Sequence, residues 1–215
     1  MPVEVKICGL STPETVDAAI AAGADLVGFV FYPKSPRNVS IEQAADLASR
    51  ARGKASIVAL VVDADDALLA AINCGVDPDL FQAHGSESPE RIAAMTALTG
   101  KPVIKAIRVK DATDIAAAEA FTRVASLILY DAKAPETLKG ALPGGNGLSF
   151  DWTLLGDRPA PAFMLSGGLN PDNVADGIRM TGAPVVDVSS GVESSPGIKD
   201  VHLIRKFIEA AKSAR

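Results

Sequence analysis

Three short apolar runs end on side chains that can carry a proton or a charge. "VEVKIC" (3–8) stops at Cys8, "DLFQAH" (79–84) at His84, and "SLILYD" (126–131) at Asp131. A thiol becomes a base or nucleophile when its pKa falls from about 8.5. A lone cysteine is more commonly a buried, inert apolar residue. A carboxylate behind four apolar residues is costly unless solvated or paired. Partial burial lets such a group keep its proton near neutrality and act as an acid; its plain alternative is an N-cap or loop brace. His84 could bind substrate or satisfy a buried backbone group. Arg37 lies in "FYPKSPRNVS" (31–40), where two prolines stiffen the loop. Its fork suits a carboxylate or phosphate, though solvated surface arginines are common.

Two glycine-rich stretches suggest an anion site. "LSGGLNPDNV" (165–174) contains Gly167 and Gly168, and "VVDVSSGVESSPG" (185–197) contains Asp187, Ser189, Ser190 and Gly191. Either one alone would be only a turn. Glycines let backbone N–H groups approach an anion, and a short helix starting near Gly191 would aim its N-terminus at it. No His/Cys/Asp/Glu cluster has metal-ligand spacing, and no P-loop or dinucleotide fingerprint occurs.

These groups need a scaffold that brings them together. Eight strand-like runs are expected at 3–8, 25–31, 56–62, 79–84, 102–109, 126–131, 162–167 and 185–190. Most are nearly continuous apolar runs, as strands buried on both faces should be. Helices are expected between them, with Thr12–Pro13…Gly23, Ser88–Pro89…Gly100 and Asn170–Pro171…Gly182 as cap pairs. Ser40 with Gln43 reads as a capping box. The last segment, from Lys199, is amphipathic, with Val201, Ile204, Phe207, Ile208 and Ala211 near one face. Residues 132–149 read as a long Gly/Pro-rich loop, with "FDWTLLG" the only short helix of that unit. Trp152 is expected in the outer layer, and His202 reads as structural. Alternating strands and helices imply right-handed parallel crossovers. Eight units favour an α/β fold of the closed (β/α)8 barrel type, a single domain over 1–215, with a doubly wound open sheet as the alternative. In a barrel all the strand-end residues above converge on one mouth.

Bulk properties agree. The 215 residues are 48% apolar, enough for one large core, and the net charge of −5 argues against a general nucleic-acid binder. No apolar run approaches the roughly 20 residues of a membrane helix. The opening "MPVEVKICGL" has no export-signal pattern. A cytoplasmic protein with reduced thiols is therefore expected, which argues against a Cys8–Cys74 disulfide. Cys74 reads as an inert core residue. The assembly is left open between a monomer and a homodimer.

As a set, "KICGL", "GADLVGFVFYPKSPRNVS", "QAHGSESPE", "VIKAIRV", "LYDAKAP", "GGNGLSFDW", "SGGLNPDNV" and "DVSSGVESSPGIKD" resemble the phosphoribosylanthranilate isomerase family over almost the whole chain. Two positions depart from that family's pattern: Ala83 where Leu is common, and Asn146 where Thr is common. The resemblance implies a (β/α)8 barrel, no metal or organic cofactor, and a small phosphosugar substrate. The implied reaction is the Amadori rearrangement of N-(5-phosphoribosyl)anthranilate in tryptophan biosynthesis. Carried over by motif, Cys8 resembles the general base and Asp131 the general acid. Arg37 resembles the group that holds the anthranilate carboxylate, and the Gly and Ser positions after strands seven and eight resemble a phosphate grip. His84, Gly145, Asn146 and Asp187 complete the expected substrate contacts. Lys6 shares a strand face with Cys8; it would either favour the thiolate or pair with a barrel carboxylate. The competing readings are another phosphate-gripping barrel enzyme, such as an indole-glycerol-phosphate synthase or a pentose-phosphate epimerase, and a binding barrel without chemistry. Lys105 has no evident glutamate partner for the first, and metal-ligand residues are missing for the second. Intact Cys8 and Asp131 argue against a barrel without chemistry.

Overall fold

Residues 2–133, 144–156 and 162–214 are described by the computed structural model of this chain. Most of the 132–149 loop expectation thus lies outside the described residues. The eight expected runs form a closed parallel barrel in sequence order. Its strands are β1 (Glu4–Cys8), β2 (Leu26–Phe31), β3 (Ser56–Val61), β4 (Leu80–Ala83), β5 (Val103–Val109), β6 (Leu127–Ala132), β7 (Phe163–Leu165) and β8 (Val185–Val188). Closure comes from β1 pairing with β8, in register from Glu4 with Val185 to Ile7 with Val188. The open-sheet alternative is thereby excluded. Strands seven and eight are shorter than expected: Ser166 and Gly167 have left β7, and Ser189 and Ser190 have left β8.

The helices are α1 (Pro13–Ala22), α2 (Ile41–Ala51), α3 (Asp66–Val76), α4 (Pro89–Thr99), α5 (Ala112–Ala117), α6 (Val174–Thr181) and α7 (Val201–Lys212). Unit six has only the 3-10 turn Trp152–Leu155 among the described residues, as "FDWTLLG" suggested. Thr12, Ser40 and Ser88 cap α1, α2 and α4 through their side chains, and Gly23, Gly100 and Gly182 end α1, α4 and α6 in the left-handed conformation. Two cap expectations need correction. Gln43 sends its side chain to Ser11 O instead of back to Ser40, so that capping box is half made. Asn170 does not start α6; it braces a turn, and the helix begins after Asn173. Cys74 is exposed on α3 rather than in the core, and both thiols are free.

Alternation along the strands sorts the interior. Val5 and Ile7 face the main core between sheet and helices. Inside the barrel, Leu26, Val58, Ile104, Ala106, Leu129, Met164 and Val185 fill the lower part. Cys8, Val30 and Leu60 form a small cluster at the other end. Between these two apolar layers stand Lys6, Gln82 and Asp187, all buried. A polar layer inside an apolar barrel carries a desolvation penalty unless every group is paired.

Between β8 and α7 the chain makes an antiparallel hairpin, β9 (Glu193–Ser195) with β10 (Ile198–Lys199). It was not anticipated, because its strands are three and two residues long and too short for a period-2 signal.

Candidate active site

One cavity opens at the C-terminal ends of the strands. Cys8, Arg37, His84, Asp131, Gly145, Asn146, Gly167, Gly168, Asp187, Ser189 and Ser190 all line it. Only Gly191 of the expected residues is not part of the lining. A Cβ on Gly191 would stand 1.9 Å from Leu169 O, so this glycine lets the β8 loop lie against the β7 loop. The expected helix near Gly191 is a single 3-10 turn, Ser190–Val192, too short to act as a helix dipole. What remains for an anion is backbone. Among the described residues no protein acceptor takes the amide N–H of Gly167, Gly168, Ser190 or Gly191.

On the β1–β8 side, Lys6 Nζ lies 2.8 Å from Asp187 Oδ1, with both side chains at or below 4% exposure. Both sequence alternatives for Lys6 therefore hold together: it pairs with a carboxylate and it acts on the thiol. The two groups converge over Gly28, where a Cβ would meet Lys6 Nζ at 3.0 Å and Cys8 Sγ at 3.1 Å. Burial alone would lower the lysine's pKa, but the charge of Asp187, helped by Cys8, holds it above its ordinary value. Burial also pushes the Cys8 thiol up, and Lys6 and Lys199 offset this only partly. Desolvation of the thiolate thus outweighs the nearby cations.

The β4–β6 side is built differently. Gln82 Nε2 lies 2.9 Å from His84 Nδ1, and His84 Nε2 lies 3.1 Å from Asp131 Oδ2. With the amide nitrogen as donor, Nδ1 accepts and Nε2–H donates to Asp131. Asp131 Oδ1 also accepts the N–H of Ala132, at 2.9 Å. The "GGNG" backbone lies across this arrangement. A Cβ on Gly144 would meet His84 Nε2 at 2.5 Å, and one on Gly145 would meet Arg37 Nη1 at 2.7 Å.

Arg37 is buried, and three of its contacts are with protein. Nε donates to Glu193 Oε1 at 2.7 Å, and Nη2 donates to Glu193 Oε2 at 2.9 Å and to Gly145 O at 3.2 Å. Nη1 has no hydrogen-bond partner among the described residues. Glu193, Lys199 and Gln82 were missed in the sequence. Glu193 stands only two residues past Gly191 in a stretch already singled out, but charges in a loop look solvated until the hairpin folds them inward. Elsewhere, Lys105 does have a glutamate partner, Glu87, at 2.7 Å. That pair lies outside the cavity lining and braces the turn after β4, with Lys105 also donating to Gly85 O.

Comparisons with known proteins agree with this geometry. A family model described as N-(5'phosphoribosyl)anthranilate (PRA) isomerase matches residues 5–210. The chain is 57% identical over 215 residues to N-(5'-phosphoribosyl)anthranilate isomerase of Rhodopseudomonas palustris (strain BisA53), covering 99% of this chain and 97% of that one. It is similar, with a TM-score of 0.87 and 37% identity, to the crystal structure of phosphoribosyl anthranilate isomerase from Thermotoga maritima, with 98% of each chain covered. A crystal structure of such an isomerase in complex with reduced 1-(o-carboxyphenylamino)-1-deoxyribulose 5-phosphate matches with a TM-score of 0.84 and 35% identity, again over 98% of both chains. With a full-length family match and a barrel mouth that gathers the motif residues into one cavity, this chain belongs to the N-(5'-phosphoribosyl)anthranilate isomerase family.

Proposed function

We propose that the cavity works by general acid–base catalysis, with Asp131 as the acid and Cys8 as the base. The family's reaction is an aldose–ketose isomerisation in tryptophan biosynthesis, and the chain is an isomerase of that kind. It converts N-(5-phosphoribosyl)anthranilate to 1-(2-carboxyphenylamino)-1-deoxyribulose 5-phosphate. In this reading Asp131 protonates the ribose ring oxygen and the furanose opens to a cationic imine. The imine acidifies the proton on the neighbouring ribose carbon. Cys8 removes that proton, and the resulting enolamine tautomerises to the ketone. Each positioned proton transfer contributes roughly 10²–10⁴-fold.

Cys8 acts as the thiolate when it takes the ribose proton; burial opposes that form, and the cations Lys6 and Lys199, joined by the cationic imine that ring opening creates, favour it. His84 orients Asp131. Arg37 Nη1 meets the aryl carboxylate, and the unpaired amides of Gly167, Gly168 and Ser190 meet the phosphate, with Ser189 beside them. Gly145 and Asn146 close over the substrate. No step is routed through a metal or organic cofactor. A cytoplasmic location and a monomeric or homodimeric state belong to the same reading. Among the described residues no helix is long and apolar enough to cross a membrane.

The observation that carries the reading is that Cys8 and Asp131, 123 positions apart in sequence, line one cavity together with the unpaired amides. The test is turnover of the anthranilate substrate, followed by fluorescence. Asp131→Asn and Cys8→Ser should each lower kcat by about 10²-fold or more with KM little changed. Near-wild-type turnover in either variant, or an effect confined to KM, would remove that residue from its role.

A further inference from the structure

Glu193 and Lys199 place two more buried charges behind Arg37, and no proton transfer of the scheme passes through either. Their side chains are 4% and 1% exposed. Lys199 Nζ lies 2.7 Å from Glu193 Oε1, 2.8 Å from Ser189 O and 3.2 Å from Ser189 Oγ. Glu193 Oε2 also accepts the N–H of Gly197, at 3.1 Å. One carboxylate therefore spans Nε and Nη2 of Arg37 and a lysine that holds the β8 loop. A buried carboxylate carries a large desolvation penalty that only such partners offset. Here the Arg37 hydrogen bond and Lys199 keep Glu193 below its ordinary pKa despite burial.

We propose that Glu193 is a positioning and specificity residue for the isomerisation: it clamps Arg37 through Nε and Nη2, leaving Nη1 as the donor that selects substrates with an aryl carboxylate. The proposal rests on the reading of Arg37 given above. Arginine's planar guanidinium is directional only when the plane is fixed, and a bidentate pair fixes it. The clamp has an electrostatic drawback, since Glu193 cancels the charge that should attract the substrate carboxylate. Lys199 supplies the remedy. Two cations and one anion leave the cluster with a net positive charge, so orientation is gained without losing attraction. The same lysine ties Ser189 in the β8 loop to the clamp, which links the carboxylate end of the site to its phosphate end.

This arrangement makes a prediction opposite in sign to simple charge attraction. Glu193→Gln removes a negative charge from the rim, so a purely electrostatic Arg37 would bind the carboxylated ligand more tightly. A positioned Arg37 would bind it more weakly. The probes are the reaction product and its counterpart with a plain phenyl ring, titrated against wild type, Glu193→Gln and Arg37→Ala, with KM and kcat measured alongside. For Glu193→Gln we expect a KM about tenfold higher, kcat within about threefold, and about tenfold weaker binding of the carboxylated product. The phenyl counterpart should change less than about twofold. Unchanged or tighter binding of the carboxylated product overturns the proposal, as does equal weakening of both ligands. If Arg37→Ala loses the discrimination and Glu193→Gln keeps it, the clamp fails while the reading of Arg37 stands. If both variants keep the wild-type discrimination, both fall. Should Glu193→Gln not fold, Glu193→Asp decides the matter. It keeps the charge but is one methylene short, so it should show the same carboxylate-selective loss to a smaller degree, and a non-selective loss overturns the proposal.

Discussion

The two proton-transfer residues of the proposed scheme sit in surroundings built on different physics. Beneath Cys8 lies a full ion pair, Lys6 with Asp187, buried and 2.8 Å apart. Behind Asp131 lies a chain of hydrogen bonds, Gln82 to His84 to Asp131, whose links are an amide and an imidazole. A thiolate base carries its negative charge until it takes the proton, and a fixed neighbouring cation is what makes that charge tolerable in a low-dielectric site. An acid that must aim its proton at one ring oxygen needs orientation first, and directional hydrogen bonds give that without a counter-charge. In the proposed scheme one polar layer across the barrel thus serves the base by charge and the acid by direction.

Breaking the ion pair should have the largest effect. Lys6→Met leaves Asp187 buried without its partner, which commonly costs about 3–5 kcal/mol. Urea melts should show this loss. The surviving folded enzyme should also lose kcat more than affinity, because Cys8 has lost its nearest cation. Removing both charges, as Lys6→Met with Asp187→Asn, should recover much of the stability and none of the kcat. If Lys6→Met alone is as stable as wild type, the buried pair is not the charged layer described here.

A smaller loss is expected on the other side. Gln82→Leu deletes the donor to His84 Nδ1, and one broken buried hydrogen bond costs about 1–3 kcal/mol. His84 is then free to turn or to change tautomer, so kcat should fall about tenfold, with the product's affinity nearly unchanged. If the same variant weakens binding while kcat holds, Gln82 supports the cavity wall and not the acid. A loss as large as that of Lys6→Met would erase the contrast between charge and direction.

The sequence made one half of this contrast readable. Cys8, His84 and Asp131 end strong apolar runs, so barrel geometry alone sends them to one mouth, and the eight-unit count was recoverable from β-branched runs between helix caps. Lys6 could be placed on the face of Cys8 by alternation, but its partner could not be read. Asp187 is 181 residues away, and their contact depends on the closure of β8 onto β1. Gln82 was hidden for a related reason, since a glutamine inside an apolar strand looks like an edge or solvent-facing residue until the barrel closes around it. Glu193 and Lys199 were hidden by their short hairpin. The balance at Cys8 was hidden because residue types reveal nearby cations but not the depth of burial that opposes them. A packing constraint on Gly191 was hidden as well. Its need for glycine comes from Leu169, a neighbour in space that motif spacing does not show.

The smallest expected effect sharpens the comparison within the charged half. Two buried lysines act on Cys8 there, and they are shifted in opposite directions. Lys6 sits above its ordinary value, held by Asp187. Burial lowers Lys199 from 10.5 to about 8, with Glu193 offsetting only part of the shift. Between those two values the unfolded chain still binds a proton that the folded chain has released. Unfolding then takes up a proton, so this group's contribution to stability rises with pH across that window. The raised Cys8 thiol works the other way above its ordinary value of 9.0, since there the folded chain keeps a proton that the unfolded chain has lost. Comparing wild type with Lys199→Met at each pH cancels most of that opposing trend. From pH 7 to 9 wild type should gain about 1 kcal/mol relative to Lys199→Met, seen as a shift in the urea midpoint difference between the two proteins. Lys6 should show no such trend over the same range, because its proton is retained there in both states. A constant difference between wild type and Lys199→Met would mean that Lys199 is not held charged at a penalty near neutrality, and the lysine that balances the Glu193 clamp would have to be described as an ordinary surface cation.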